Sequence, residues 1–207
     1  MTHDGRAPES EKLERGAPKL GARFEEALLF ATRKHSGQTR KQSQVPYVAH
    51  LLSVTALVLE AGGDEDQAIA AVLHDVVEDC GGAPVLAEVR ERFGARVANI
   101  VAGCSDTDAF PKPPWRARKE DYLRHLREAG EDVRLVSAAD KLHNVRSIVA
   151  DYRYVGDAVW ERFAGGREGT LWYYRAVLDI LQQGAGNRLV DELERLVLEL
   201  ERIATRS

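Results

Sequence analysis

Residues 64–79 read DEDQAIAAVLHDVVED. Asp64 is a residue type that caps helix N-termini, because its carboxylate accepts from the free backbone N–H groups of the first turn. Ala68, Ala71, Val72 and Leu73 follow at the three- and four-residue steps of an apolar helical face. The pattern predicts that this helix runs on through His74-Asp75-Val76-Val77-Glu78-Asp79 until Gly81-Gly82 breaks the chain. On a continuous helix, His74 and Glu78, and likewise Asp75 and Asp79, are one turn apart and share adjoining parts of one face. Such a group at the end of an apolar helix is costly unless something compensates its charge. A divalent cation is the simplest compensation, and a solvated acidic helix end is the alternative.

The same period extends in both directions. Towards the N-terminus, Leu51, Val54, Leu57 and Val58 mark a helix over 47–60, closed by Gly62-Gly63. Phe24, Ala27, Leu28 and Ala31 mark another from Ala22, and the loop 37–46 between them carries Arg40 and Lys41. Towards the C-terminus, Pro84 suits the first turn of a helix through Val85, Val89 and Phe93, and a short helix is expected over 95–103. A proline-rich loop over 106–114 precedes a helix over 115–129, whose Arg and Lys residues are expected to face solvent. Leu135, Val136, Ala139, Leu142 and Val145 predict a strong helix over 133–149, and two more are expected over 170–183 and 188–204. Alternating β-branched stretches are few. The fold class is therefore all-α: one domain of about eight to nine helices over 21–207, after a flexible tail over 1–20 rich in Gly, Pro and charge.

Bulk properties narrow the function. The chain has 207 residues, 44% hydrophobic and 30% charged, as in an ordinary globular domain. A formal net charge of −4 gives no global positive field for a nucleic-acid duplex. Its two cysteines, Cys80 and Cys104, form neither a disulfide framework nor a CxxC metal pair. No apolar run approaches the roughly 20 residues of a membrane span, and the first residues lack the apolar core of a signal peptide. The expected location is cytoplasmic, with no membrane partner and with oligomeric state left open.

Two further polar residues sit in apolar surroundings. His50 lies in Pro46-Tyr47-Val48-Ala49-His50-Leu51-Leu52, and Asp140 in Ser137-Ala138-Ala139-Asp140-Lys141-Leu142-His143-Asn144. Each needs a partner if buried. Taken locally, His50 also reads as a core histidine bonded to a carbonyl, Asp140 as half of a salt bridge, and the pair His74-Asp75 as a cap or salt bridge.

Taken together, the order His50…His74-Asp75…Asp140 resembles the HD phosphohydrolases. The blocks Gln38-Thr39-Arg40-Lys41, Leu73-His74-Asp75-Val76-Val77-Glu78-Asp79, Phe93-Gly94 and Ala139-Asp140-Lys141-Leu142-His143-Asn144-Val145-Arg146 resemble the alarmone-hydrolase branch of the RelA/SpoT proteins. The likeness covers roughly Phe24 to Gln183 and resembles the small stand-alone hydrolases of that branch, with no room expected for a synthetase domain. It implies an HD-type helical domain and one divalent ion, Mn2+ or another divalent metal, held by His50, His74, Asp75 and Asp140. It implies Glu78 and Asp79 as the acidic pair that activates water. It implies a nucleotide pocket with Arg40 on the guanine base, Lys41 beside it, and Asn144, Ser147 and Tyr173 along the wall. Lys141 offers charge to phosphates. Tyr173 and Tyr174 read equally as packing residues, and His143 equally as a support for the ligands. His35 and His125 are expected at the surface or in helix packing.

The likeness has departures. The Arg40–His50 loop is one residue longer than in many relatives. Leu51 stands where Pro is usual, Ser147 where Thr is common, and Gly103-Cys104-Ser105-Asp106 replaces a typical Gly-Val-Thr. The implied reaction is metal-dependent hydrolysis of ppGpp and pppGpp at the 3′-pyrophosphate, giving GDP or GTP and pyrophosphate. The alternatives are an HD phosphatase for another phosphorylated nucleotide such as NADPH, a catalytically inactive nucleotide-binding module, and a regulatory helical scaffold.

Overall fold

The computed structural model describes residues 19–41, 43–107, 111–184 and 186–205, so the expected tail lies outside the described residues up to residue 18. The described elements are α1 (Ala22–Lys34), α2 (Val48–Glu60), α3 (Glu65–Leu73), α4 (Val76–Cys80), α5 (Ala83–Phe93), α6 (Ala95–Cys104), α7 (Trp115–Glu128), α8 (Glu131–Val155), a 3-10 helix (Gly156–Arg162), α9 (Gly166–Leu181) and α10 (Arg188–Ala204). Nine of the α-helices have nine residues or more, and α4 has five. Among the described residues the one β-type pairing is an antiparallel bridge between Thr39 and Pro46, which closes the α1–α2 loop. The fold is all-α, as its periodicity predicts.

Local chemistry sets the ends. Asp64 caps α3 in a reciprocal box: its Oδ1 accepts from the Gln67 N–H at 3.0 Å, and the Gln67 Oε1 accepts from the Asp64 N–H at 2.8 Å. Asn187 caps α10 by accepting from the Leu189 and Val190 N–H groups. Gly156 ends α8 at φ 58°, in the left-handed region that glycine enters at little cost.

Helix α8 is the axis of the fold. It packs against α2, α3, α6, α9 and α10, burying Val136, Ala138, Ala139, Leu142, Val145, Ile148 and Val149. Small residues allow close approach: a Cβ at Gly103 on α6 would lie 2.7 Å from the Val133 Cγ2 on α8. One apolar core joins residues from Ala27 on α1 to Ala204 on α10. Asp140 sits near the middle of α8, so the helix around which the others pack carries a carboxylate into the packed interior.

One expected helix is broken. The stretch 64–79 is two helices, and the chain turns at His74 and Asp75, where Asp75 has φ −100° and ψ −4°. The His74 Nδ1 donates to the Ala71 carbonyl at 2.8 Å. That carbonyl is the acceptor a continuing helix would offer to the Asp75 N–H, so the side chain competes with the backbone. The expected single face over His74–Asp79 therefore does not form.

Candidate metal centre and nucleotide pocket

Three helices meet at one buried point. The first turn of α2 supplies His50, the end of α3 supplies His74 with Asp75 beside it, and the centre of α8 supplies Asp140. Both imidazoles are about 1% exposed. The His50 Nε2 lies 3.2 Å from Asp140 Oδ1 and 3.5 Å from Asp75 Oδ2. The His74 Nε2 lies 3.0 Å from Asp75 Oδ2 and 3.7 Å from Asp140 Oδ1. One donor atom each from His50, His74 and Asp140 falls within 4.8 Å of the others. Asp75 stands at the edge of that set, touching both rings.

The electrostatics of this point call for a cation. A carbonyl can only accept, so the His74 Nδ1 bound to Ala71 carries the proton, and a neutral His74 turns the Nε2 lone pair inward. That Nε2 is buried and has no hydrogen-bond partner among the described residues, although Asp75 lies close. A lone pair facing two carboxylates is repulsive unless positive charge lies between them. Burial would push the His74 imidazole down, but Asp75 and Asp140 outweigh it and hold the group well above the usual histidine range, so with no ion present a proton on Nε2 supplies the positive charge that a bound cation would replace. Burial would raise Asp75 and Asp140. His74 and the His50 hydrogen bond keep Asp75 well below the usual carboxylate range, and Lys141 with the two imidazoles does so for Asp140. Two imidazole nitrogens and two carboxylates are a donor set for a borderline divalent ion, so the residues fit a metal.

Each donor is held from behind, as metal ligands require. The Tyr47 hydroxyl donates to Asp75 Oδ2 at 2.6 Å, and burial, with the Asp75 charge, raises its pKa far above the usual phenol value. The Lys141 ammonium meets Asp140 Oδ2 at 2.5 Å. The Asn144 amide donates to Asp140 Oδ1 at 2.5 Å, and its own oxygen accepts from the Arg40 guanidinium at 3.0 Å. The His50 Nδ1 faces the His143 Nδ1 at 2.8 Å. Burial, then the neighbouring His50, lower the His143 pKa to about 4.

The acidic pair divides between two sets of partners. Asp79 accepts from Gln38 at 2.8 Å, and Gln38 in turn meets His35 at 2.7 Å. His35 is buried and stacked on Tyr47, so its helix-packing reading holds. Glu78 turns the other way and pairs with Lys112 at 2.9 Å, with Arg118 4.0 Å away. Arg118 and Lys119 do not face solvent as expected of α7. Both pair with Asp106, and the Lys119 ammonium lies 4.8 Å from the Tyr173 ring centre. Burial, then Lys141, lower the Lys119 pKa. A chain of net charge −4 thus sets Lys112, Arg118, Lys119 and Lys141 against Glu78, Asp106 and Asp140.

The other expected pocket residues divide. Arg40 and Asn144 meet each other beside the centre. Lys41 is exposed in the loop. Ser147 donates to the His143 carbonyl, one turn back. Tyr173 and Tyr174 are buried, and the Tyr173 hydroxyl has no hydrogen-bond partner among the described residues. Lys141 is buried between Asp140 and the Tyr122 ring instead of extending to the mouth. Sequence reasoning did not single out Tyr47, Arg118 or Lys119. The first was hidden as an apolar-looking neighbour of His50. The other two look like a solvated helix face until Asp106 is folded against them.

The sequence matches the HD domain family over residues 27–171. It is 37% identical over 126 residues to the guanosine-3′,5′-bis(diphosphate) 3′-pyrophosphohydrolase MESH1 of Xenopus tropicalis, covering 59% of this chain and 68% of that one. It is 35% identical over 140 residues to the guanosine-3′,5′-bis(diphosphate) 3′-pyrophosphohydrolase of Aquifex aeolicus, covering 67% of this chain but only 19% of that protein. The chain thus spans about two thirds of the short metazoan relative and under a fifth of the long bacterial one. The solved structure of a metazoan ortholog of SpoT, described as hydrolysing ppGpp, superposes with a TM-score of 0.73 at 27% identity, over 88% of this chain and 98% of that one.

Proposed function

This chain belongs to the HD domain family, and from that premise we propose that it is a metal-dependent (p)ppGpp 3′-pyrophosphohydrolase. The observation that carries the reading is the buried His74 Nε2, without a hydrogen-bond partner among the described residues and set among His50, Asp75 and Asp140. Those four residues would hold one divalent ion, manganese in our reading. When bound, the ion supplies Lewis acidity, neutralising charge on a phosphoryl oxygen and making an attacking water more acidic.

The chain's own residues do the rest. Glu78 and Asp79 stand beside the ligand set but outside it, and either can accept the proton of the attacking water. Hydrolysis adds water across the bond between the ribose 3′-oxygen and phosphorus, and the departing oxygen takes up a proton. Lys112 and Arg118 beside Glu78 place positive charge where a pyrophosphate would lie. Arg40, held at Asn144, presents a guanidinium plane for a purine, and Lys41 adds charge at the mouth. Ser147 and Tyr173 line the adjoining wall. The free thiols Cys80 and Cys104 suit a reducing cytoplasm.

Purified protein with Mn2+, offered ppGpp, pppGpp and NADPH and scored by chromatography, tests this reading. The expected result is GDP or GTP with pyrophosphate and no stepwise release of single phosphates. Intact ppGpp with loss of the NADPH 2′-phosphate would replace the alarmone reading with the other nucleotide phosphatase. No turnover of any nucleotide, with binding retained, would leave the inactive binding module.

A further inference from the structure

The two histidines at the centre are oriented by different devices. His74 is fixed by a backbone carbonyl, which leaves no choice of tautomer. His50 is fixed by another imidazole: its Nδ1 lies 2.8 Å from the Nδ1 of His143, and the ring centroids are 4.8 Å apart. Two neutral imidazoles facing nitrogen to nitrogen share a single proton. If His143 donates it, the His50 Nε2 carries a hydrogen towards Asp140 and Asp75, 3.2 and 3.5 Å away, and cannot ligate an ion. If His50 donates it, the Nε2 lone pair faces the centre in the same sense as that of His74.

We propose that His143 is a positioning residue for the metal centre: it accepts the Nδ1–H of His50 and thereby turns the His50 Nε2 lone pair towards the ion. His143 lies one turn before Ser147 on α8, whose hydroxyl bonds the His143 carbonyl. The acceptor therefore rides on the same helix as Asp140, and α8 sets one ligand directly and a second from behind. Without that acceptor, His50 is left beside two carboxylates that favour a hydrogen on Nε2, and an ion must displace it. Partners of this kind typically change metal affinity by about 10–100-fold.

This inference rests on the metal reading of the centre, and two measurements separate the fates of the two. The first is a long-range proton–nitrogen spectrum of the metal-stripped, histidine-labelled full chain. A hydrogen on the His50 Nδ1 is expected, and a bare His50 Nδ1 overturns the proposal whatever the metal reading. The second is Mn2+ titration calorimetry of the wild type, His143→Asn and His143→Leu. Asn can place an oxygen near the His143 Nδ1 position and accept, whereas Leu cannot. The expected result is affinity within about threefold of wild type for Asn and a loss of about 10–100-fold for Leu. Wild-type affinity in the Leu variant overturns the proposal while the metal reading stands, and equal losses in both variants overturn it in favour of packing. A wild-type chain that takes up no Mn2+ removes the metal reading, and the proposal with it.

Discussion

The floor of the site and its rim are built on different physics. The floor is His50, His74, Asp75 and Asp140, three of them buried and all backed by the Ala71 carbonyl, Tyr47, Lys141, Asn144 or His143. Its geometry comes from helix packing around α8. The rim is Glu78, Asp79, Arg40, Lys112 and Arg118, joined by side-chain pairs that are partly exposed, such as Lys112–Glu78 and Gln38–Asp79. Contacts of that kind are weak singly and screened by salt. A rigid floor suits an ion whose ligands must not move. A rim of exchangeable ion pairs suits a charged substrate that must displace them on entry.

The comparison breaks most visibly if the floor is cut. His74→Ala removes a buried donor and should abolish both Mn2+ uptake in calorimetry and turnover. Substantial activity in this variant, or in chelator-treated wild type, would show that the floor is a structural ion-pair network. Next in size is the acidic rim. Glu78→Gln and Asp79→Asn should each lower kcat, by about 10²–10⁴-fold for the residue that acts as the base, with Mn2+ affinity near wild type. Loss of Mn2+ binding in these variants would move the pair into the floor.

The basic rim should show smaller, substrate-side effects. Arg118→Ala and Arg40→Ala are expected to raise KM by about tenfold, with kcat changed less, as loss of charge-assisted or stacking contacts at roughly 1–2 kcal/mol implies. The KM of the wild type should also rise with ionic strength, and a salt-independent KM would argue against substrate capture by charge. The smallest effect is expected far from either region, at Asp132. Arg96 and Gln67 hold its carboxyl below the usual range, so its contribution is present above the ordinary carboxylate pKa of about 3.9 and is lost as pH falls below it. It is also about one third exposed. Asp132→Asn should therefore cost less than about 1 kcal/mol in thermal unfolding at neutral pH and leave turnover unchanged. A larger activity loss would join that surface network to the site.

Periodicity alone determined the fold class, because a helix that must bury one face repeats apolar residues at three- and four-residue steps whatever it packs against. Asp64 as a cap and Gly62 and Gly81 as breaks were equally legible, since capping and left-handed backbone are local properties. The blocks around His74-Asp75 and Asp140 could be read for chemistry because polar groups in apolar runs need partners. The tertiary structure decided who those partners are. No local rule pairs Glu78 with Lys112 and Asp79 with Gln38, buries Lys141 behind Asp140, or folds Asp106 against Arg118 and Lys119. Those outcomes depend on groups from distant segments sharing one low-dielectric space, where a hydroxyl, an amide or an imidazole from another segment decides which way each charge must face.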